Sequence, residues 1–389
     1  MDDAMTRYER IEAAWNLKEA DRVPSDPLNC YILAYQGGIS IQEMFTDPKK
    51  LIEATIRARK KIGEGDQVDP NVTTLDHFSP LPKSGWDQVT LHWKIQDEFP
   101  PKGNLPSFYE KCIIDDYDDV MERGFSTLLF NKGIGDLYNE KIEDFLYYAF
   151  EYPKVYAEAW AEYVENQHVP LLMGGRGCTP LDLLQYYRGM PNLARDIFES
   201  PEKVKEMCEW LLDYEVTVAM REATVMGAGK VNGAEKILWF NGGPPGLSPE
   251  MFEEFFWPTA KKGVDMMVKR GYKVQCHWDG DLTPFLGTMK EIAKGLPKGR
   301  VTFDLEKTDM KKAKEVLGDK VCLYGNVPSS ILVYGTVHDV QKYCRKLIDD
   351  CGEGGGYILS TECETPWNAK PENVKTIIDT AIEYGQYRR

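Results

Sequence analysis

From about residue 168 to residue 362 the chain repeats one alternation, a short run rich in apolar and β-branched residues followed by an amphipathic helical stretch. The apolar runs fall at about 168–174, 237–242, 273–279, 301–306, 321–326 and 356–362. Strands separated by helices cannot pair as hairpins, and each crossover returns the chain to the same end of the sheet, so the strands must run parallel. Two earlier runs, near 22–27 and 66–73, bring the strand candidates to about eight. That count and order predict an α/β fold of the (β/α)8 barrel type, one domain over residues 1–389, with a doubly wound sheet as the runner-up. The glycine-rich Gly227-Ala228-Gly229-Lys230 does not support dinucleotide binding, because it follows a helical segment and precedes a strand, the reverse of the required context.

Three additions to the barrel are expected. Thr6 can cap a helix over about 6–21, with Tyr8, Ile11, Ala14, Trp15 and Leu17 on one face. The polar and apolar alternation Val89-Thr90-Leu91-His92-Trp93-Lys94-Ile95 predicts an inserted β-hairpin over about 86–101. A stretch rich in Tyr, Glu and Asp over about 115–165 reads as a helical flank. An apolar content of 42% in 389 residues supports a large core. The net charge of -15 opposes general affinity for nucleic acid or an anionic membrane, which need clustered Lys and Arg. No run approaches the ~20 apolar residues of a membrane span. Nine scattered cysteines suit a reducing compartment, and a cytoplasmic location is expected.

Chemistry concentrates at strand ends, where barrel enzymes hold their active sites. In Val274-Gln275-Cys276-His277-Trp278-Asp279-Gly280 a strand ends in a histidine and an aspartate two residues apart, so both side chains point the same way and can share a metal. The competing reading is a buried His–Asp pair that ties a loop. In Tyr357-Ile358-Leu359-Ser360-Thr361-Glu362-Cys363-Glu364 the last strand delivers a thiol between two carboxylates. Cys363 is either a third ligand or a buried core thiol. Other strand ends offer Asp69, Asn71, Asn241, Asp304, Glu306 and Asn326, with Tyr31, Tyr35, Trp239, Phe240, Trp257, Trp278, Tyr324 and Trp367 nearby. Several aromatics around one mouth would suit a flat ligand. Gly174-Gly175-Arg176-Gly177 reads as a turn after strand three that could face an anion.

On Asp21-Arg22-Val23-Pro24, Leu247-Ser248-Pro249-Glu250, His277-Trp278-Asp279-Gly280, Val321-Cys322-Leu323-Tyr324-Gly325-Asn326-Val327 and the segment around Cys363, the chain resembles the uroporphyrinogen decarboxylase superfamily. It is most similar to the cobalamin-dependent methyltransferase branch. The family fold is a (β/α)8 barrel. The early arginine-rich loop of the true decarboxylases is replaced here by Ser25-Asp26-Pro27-Leu28-Asn29-Cys30-Tyr31, so porphyrinogen decarboxylation is disfavoured. The thiol-methylating members carry a His-x-Cys zinc motif; His277-Trp278-Asp279 has a carboxylate instead, which makes the site harder.

The resemblance implies a methyltransferase that takes a methyl group from a methoxylated aromatic, an O-demethylase component, and passes it to cobalamin on a corrinoid protein. Zinc is the expected metal, held by His277, Asp279 and Cys363. His277, Asp279, Glu306 and Glu362 are the catalytic candidates. Tyr31, Trp239, Trp278 and Trp367, with the polar Asp69 and Asn326, are the substrate-binding candidates. The expected partners are the corrinoid protein, docking through the hairpin and helical flank, and a small-molecule methyl donor; whether a second copy joins in a homodimer stays open. Two alternatives remain: methyl transfer from a methylcobamide to a thiol or tetrahydrofolate, and a non-catalytic corrinoid- or ligand-binding barrel.

Overall fold

Six strands, β1 (Gly175–Cys178), β2 (Lys236–Asn241), β3 (Lys273–Trp278), β4 (Val301–Leu305), β5 (Cys322–Val327) and β6 (Tyr357–Thr361), pair in parallel in sequence order. The computed structural model describes residues 5–70, 114–124, 151–227, 231–241 and 246–387. Two shorter segments close the sheet into a cylinder. Residues 24–26 pair with β6 through Leu359 N–H to Pro24 O and Asp26 N–H to Leu359 O, each 2.9 Å. Asp66 N–H donates to Ser25 O at 2.7 Å, and Val68 pairs with residues 170–172 just ahead of β1. The eight positions of a (β/α)8 barrel are thereby occupied.

The barrel has two apolar layers, because successive side chains of a strand point to opposite faces. Leu238, Cys322, Tyr324 and Ile358 belong to an inner cluster that also contains Trp15. Trp239, Cys276, Trp278, Phe303 and Leu305 belong to an outer cluster against the helices Pro201–Val225, Trp257–Lys269 and Val337–Cys351. The N-terminal floor is tied by charge. Asp66 accepts from Arg10 at 2.6 Å and Arg22 at 2.8 Å, all three buried, while Arg10 also holds Asp21 at 2.7 Å. The motif Asp21-Arg22-Val23-Pro24 thus secures the first strand position.

Several boundaries differ from expectation. The opening helix runs over Arg7–Trp15 and not to residue 21, since Leu17 takes φ 57° and turns the chain back so that Asp21 meets Arg10. Thr6 caps it in a capping box with Glu9. Strand three lies at Gly175–Cys178, later than 168–174, and of the glycines read as a turn Gly175 and Gly177 are in the strand. Their reason is close approach: a Cβ on Gly175 would lie 2.2 Å from the Ala219 carbonyl oxygen of helix Pro201–Val225. The hairpin expected over about 86–101 lies outside the described residues. Of the flank over about 115–165, helices Tyr117–Arg123 and Tyr152–Gln167 are described.

Candidate metal centre at the barrel mouth

β3 delivers His277 into the barrel, three residues before the chain turns at Gly280, whose φ of 89° favours glycine. Asp279 follows on the same side, and Cys363 arrives from the segment after β6. His277 Nε2 lies 3.2 Å from Asp279 Oδ1 and 3.5 Å from Cys363 Sγ. The three donor atoms all fall within 4.8 Å of one another. A tetrahedral zinc with ordinary Zn–N, Zn–O and Zn–S bonds would set the N···O and N···S separations at about 3.3 and about 3.6 Å. Asp279 Oδ1 is buried and faces His277 Nε2, so the two donor atoms border the same point. The donor set therefore fits a zinc ion, with room in the coordination sphere for a fourth ligand.

The other imidazole nitrogen is anchored. His277 Nδ1 lies 2.6 Å from Asp304 Oδ2, and Gln275 Nε2 donates to the same oxygen at 3.3 Å. With its proton on Nδ1, His277 leaves Nε2 as the donor toward the metal point. Burial alone would push the His277 pKa down, but the Asp304 carboxylate, with Cys363 and Asp279, more than reverses this and holds it well above the ordinary value. Burial, reinforced by Asp279 and opposed by His277, pushes the Cys363 thiol up to about 12. Without a metal the thiol is therefore neutral.

Phe240 of β2 is in register with His277 and stacks on it, with ring centroids 5.5 Å apart and planes 13° from parallel. The Arg176 guanidinium lies 4.3 Å over the other ring partner of this stack, Phe240. Beside it, Glu364 hydrogen-bonds Cys30, and its carboxyl is raised by burial against the opposing influence of Arg176 and His277. Asp69 is close enough to Cys30 to raise the thiol further.

The structure brings together His277, Asp279 and Cys363 and separates them from several other candidates. Trp239 and Trp278 stand on the outer face of the sheet. Trp239 Nε1 donates to Ala260 O at 3.2 Å, and the Trp278 ring packs edge-on to Phe256, Trp257 and Phe303. They are thus packing residues between sheet and helices and do not wall the mouth, as the alternation of a strand requires once His277 faces inward. Tyr31 is buried with its ring 6.2 Å from Phe45. Trp367 pairs with Tyr35 at 4.9 Å. Glu306 accepts from Gly280 N–H and Glu362 from Ser329 N–H, while Asn326 donates to the Glu306 and Thr308 carbonyls. All three make loop contacts through these atoms. Phe240 was named from sequence only as one aromatic near the mouth and Arg176 only as able to face an anion; the stacking of Phe240 on His277 and the anchoring role of Asp304 were not foreseen, and strand register, which aligns Phe240, His277 and Asp304 in one layer, is the signal that finds them.

An inward-facing His–Asp–Cys set at the C-terminal mouth of a parallel barrel defines a protein of the metal-competent barrel class. The uroporphyrinogen decarboxylase (URO-D) family model matches residues 150–384, more than half of the chain, and the protein belongs to that family. Among similar proteins, uroporphyrinogen decarboxylase of Pseudoalteromonas atlantica is 27% identical over 163 residues, 40% of this chain and 44% of the relative. That of Alcanivorax borkumensis is 23% identical over 232 residues, 57% of this chain and 61% of the relative. The matched part thus spans about half the length of these relatives. A methyltransferase from Methanosarcina mazei has the same fold over 98% of this chain and 99% of its own, with a TM-score of 0.69 and 17% identity. Among the described residues, no helix is long and apolar enough to cross a membrane.

Proposed function

We propose that the protein is a corrinoid-dependent methyltransferase that takes a methyl group from a methoxylated aromatic compound. The observation that carries this reading is the donor set: one cysteine sulfur, one imidazole nitrogen and one carboxylate oxygen within 4.8 Å of one another. Resemblance over the whole fold to a protein described as a methyltransferase supports it.

A zinc ion held by His277, Asp279 and Cys363 would supply Lewis acidity to an ether oxygen at its open position. An aryl ether is a poor methyl donor because phenolate must leave, and a phenol has a pKa of ~10. Asp279 in place of a second thiolate makes the donor set harder, which suits an oxygen more than a sulfur ligand. Asp304 fixes the His277 ring and keeps its Nδ1 proton. Phe240, packed between the His277 imidazole and the Arg176 guanidinium, makes the wall beside the metal point apolar. In the net reaction the methyl carbon loses its bond to the ether oxygen and gains one to cob(I)alamin on a partner corrinoid protein, and the oxygen leaves as phenolate.

The test is an anaerobic optical assay with free cob(I)alamin and a panel of methoxybenzenes, methylamines, methanol and methyl thioethers. Methylcobalamin is expected to appear with the aryl ethers and to vanish in His277→Ala, with the fold intact by circular dichroism. Transfer from methylcobalamin to a thiol or tetrahydrofolate, with none from any ether, would contradict the direction proposed. No turnover in either direction would leave a binding protein.

A further inference from the structure

Two of the three donor residues sit on loops rather than strands, Asp279 after β3 and Cys363 after β6, so something must fix the distance between those loops. A chain of hydrogen bonds runs from one to the other around the mouth. Gly280, next to Asp279, donates its N–H to Glu306 Oε2 at 2.5 Å, and its carbonyl accepts from Lys307 N–H at 3.1 Å. The carbonyls of Glu306 and Thr308 accept from Asn326 Nδ2 at 2.8 and 2.9 Å. Two residues past β5, Ser329 N–H donates to Glu362 Oε1 at 2.8 Å, and Glu362 N–H donates to Val327 O at 2.9 Å. Glu362 is the residue immediately before Cys363. Glu306, Asn326 and Glu362 also line one cavity of about 370 Å³, whose lining includes none of His277, Asp279 or Cys363.

We infer that Glu306, Asn326 and Glu362 form a clasp that holds the Asp279 and Cys363 loops at metal-binding separation, and that the two glutamates are positioning residues rather than acid–base catalysts. The inference rests on the proposed metal centre. Its physical basis is that a carboxylate accepting a backbone N–H makes a strong, directional bond, while the same oxygen is then unavailable to a substrate proton. The device repeats: in each case a carboxylate just past one strand reaches back to the N–H two residues beyond the end of the preceding strand. An outer partner that orients a ligand typically changes metal affinity by about 10- to 100-fold when lost.

The experiment measures zinc affinity by chelator competition, amide hydrogen exchange and methyl transfer in the full chain and in Glu306→Ala, Glu306→Gln, Glu362→Ala and Glu362→Gln. The Ala variants should bind zinc at least about tenfold more weakly. The Gly280 amide should exchange faster in Glu306→Ala, and the Ser329 amide faster in Glu362→Ala. The Gln variants keep an acceptor oxygen and should restore both affinity and protection. Saturating zinc should return methyl transfer in all four. Native zinc affinity in both Ala variants overturns the clasp. So does a Gln variant with native zinc affinity but no transfer, which would make that glutamate a catalyst. A wild-type chain that takes up no zinc overturns the metal centre and the clasp's purpose together, whereas a zinc-loaded wild type without ether activity leaves the clasp measurable and contradicts only the proposed reaction.

Discussion

Asp304 decides what His277 can do. A buried imidazole would ordinarily be neutral, yet the carboxylate 2.6 Å from Nδ1 keeps His277 protonated near neutral pH, and burial keeps the Cys363 thiol protonated as well. A metal must displace both the Nε2 proton and the thiol proton. Lower pH favours the proton-loaded, metal-free form, so zinc affinity should rise as pH rises, by about two log units per pH unit around neutrality. Calorimetric titration with zinc in buffers of different ionisation enthalpy should report two protons released. Replacing Asp304 by Asn removes the charge that anchors the ring, and zinc affinity should fall by about 10- to 100-fold while His277→Ala abolishes uptake. An unchanged affinity in Asp304→Asn would remove Asp304 from the site.

At the level of the strand, one parity rule sorts the candidates. Phe240, His277, Asp304 and Tyr324 are consecutive register partners on neighbouring strands, and their inward side chains make one layer of the barrel. Trp239 and Trp278 are one residue out of step with their inward neighbours, and so face the helices. The strand ends with His277, Asp279 and Cys363 were legible in the sequence because residue type and the end of an apolar run coincide there. The partners of His277 were not, because a single sequence does not state which residue of β2 or β4 lies beside it. Glu306 and Glu362 read as catalytic for a related reason: a carboxylate at a strand end looks the same whether it meets a substrate or a backbone N–H. The parity rule predicts that Trp278→Ala costs about 3–5 kcal/mol in denaturant unfolding, as for a large core side chain. Zinc affinity should be unchanged under folding conditions.

For the molecule as a whole, the eight-strand count was readable from the alternation of segments, and closure depends on short pieces that look unlike strands. Residues 24–26 and 66–68 complete the cylinder through a few backbone bonds and the buried Arg10–Asp66–Arg22 contacts. Inside this closure Asp26 accepts from Tyr324 at 2.7 Å and Gln67 at 3.1 Å, and Gln67 accepts from Lys236 at 2.6 Å. Burial raises the Asp26 carboxyl to about 6, although Tyr324 and Arg59 oppose it, and burial lowers the Lys236 ammonium to about 8. Because the folded chain holds the Asp26 proton more tightly than the unfolded chain, stability from this group is fully present below about pH 4 and is lost as pH rises toward about 6. Relative to Asp26→Asn, the wild type should lose on the order of 3 kcal/mol across that window and change little above it. Urea unfolding of both proteins at pH 4 to 7 measures the difference.

Everything proposed here for the chemistry depends on the mouth of this barrel binding zinc through one sulfur, one nitrogen and one carboxylate oxygen. X-ray absorption at the zinc edge of the purified, zinc-loaded protein tests it most directly. The expected result is one zinc per chain with a single sulfur neighbour at about 2.3 Å and the remaining neighbours nitrogen or oxygen at about 2.0–2.2 Å, the sulfur signal vanishing in Cys363→Ala. A zinc shell without sulfur, or a protein that retains no zinc, would contradict it.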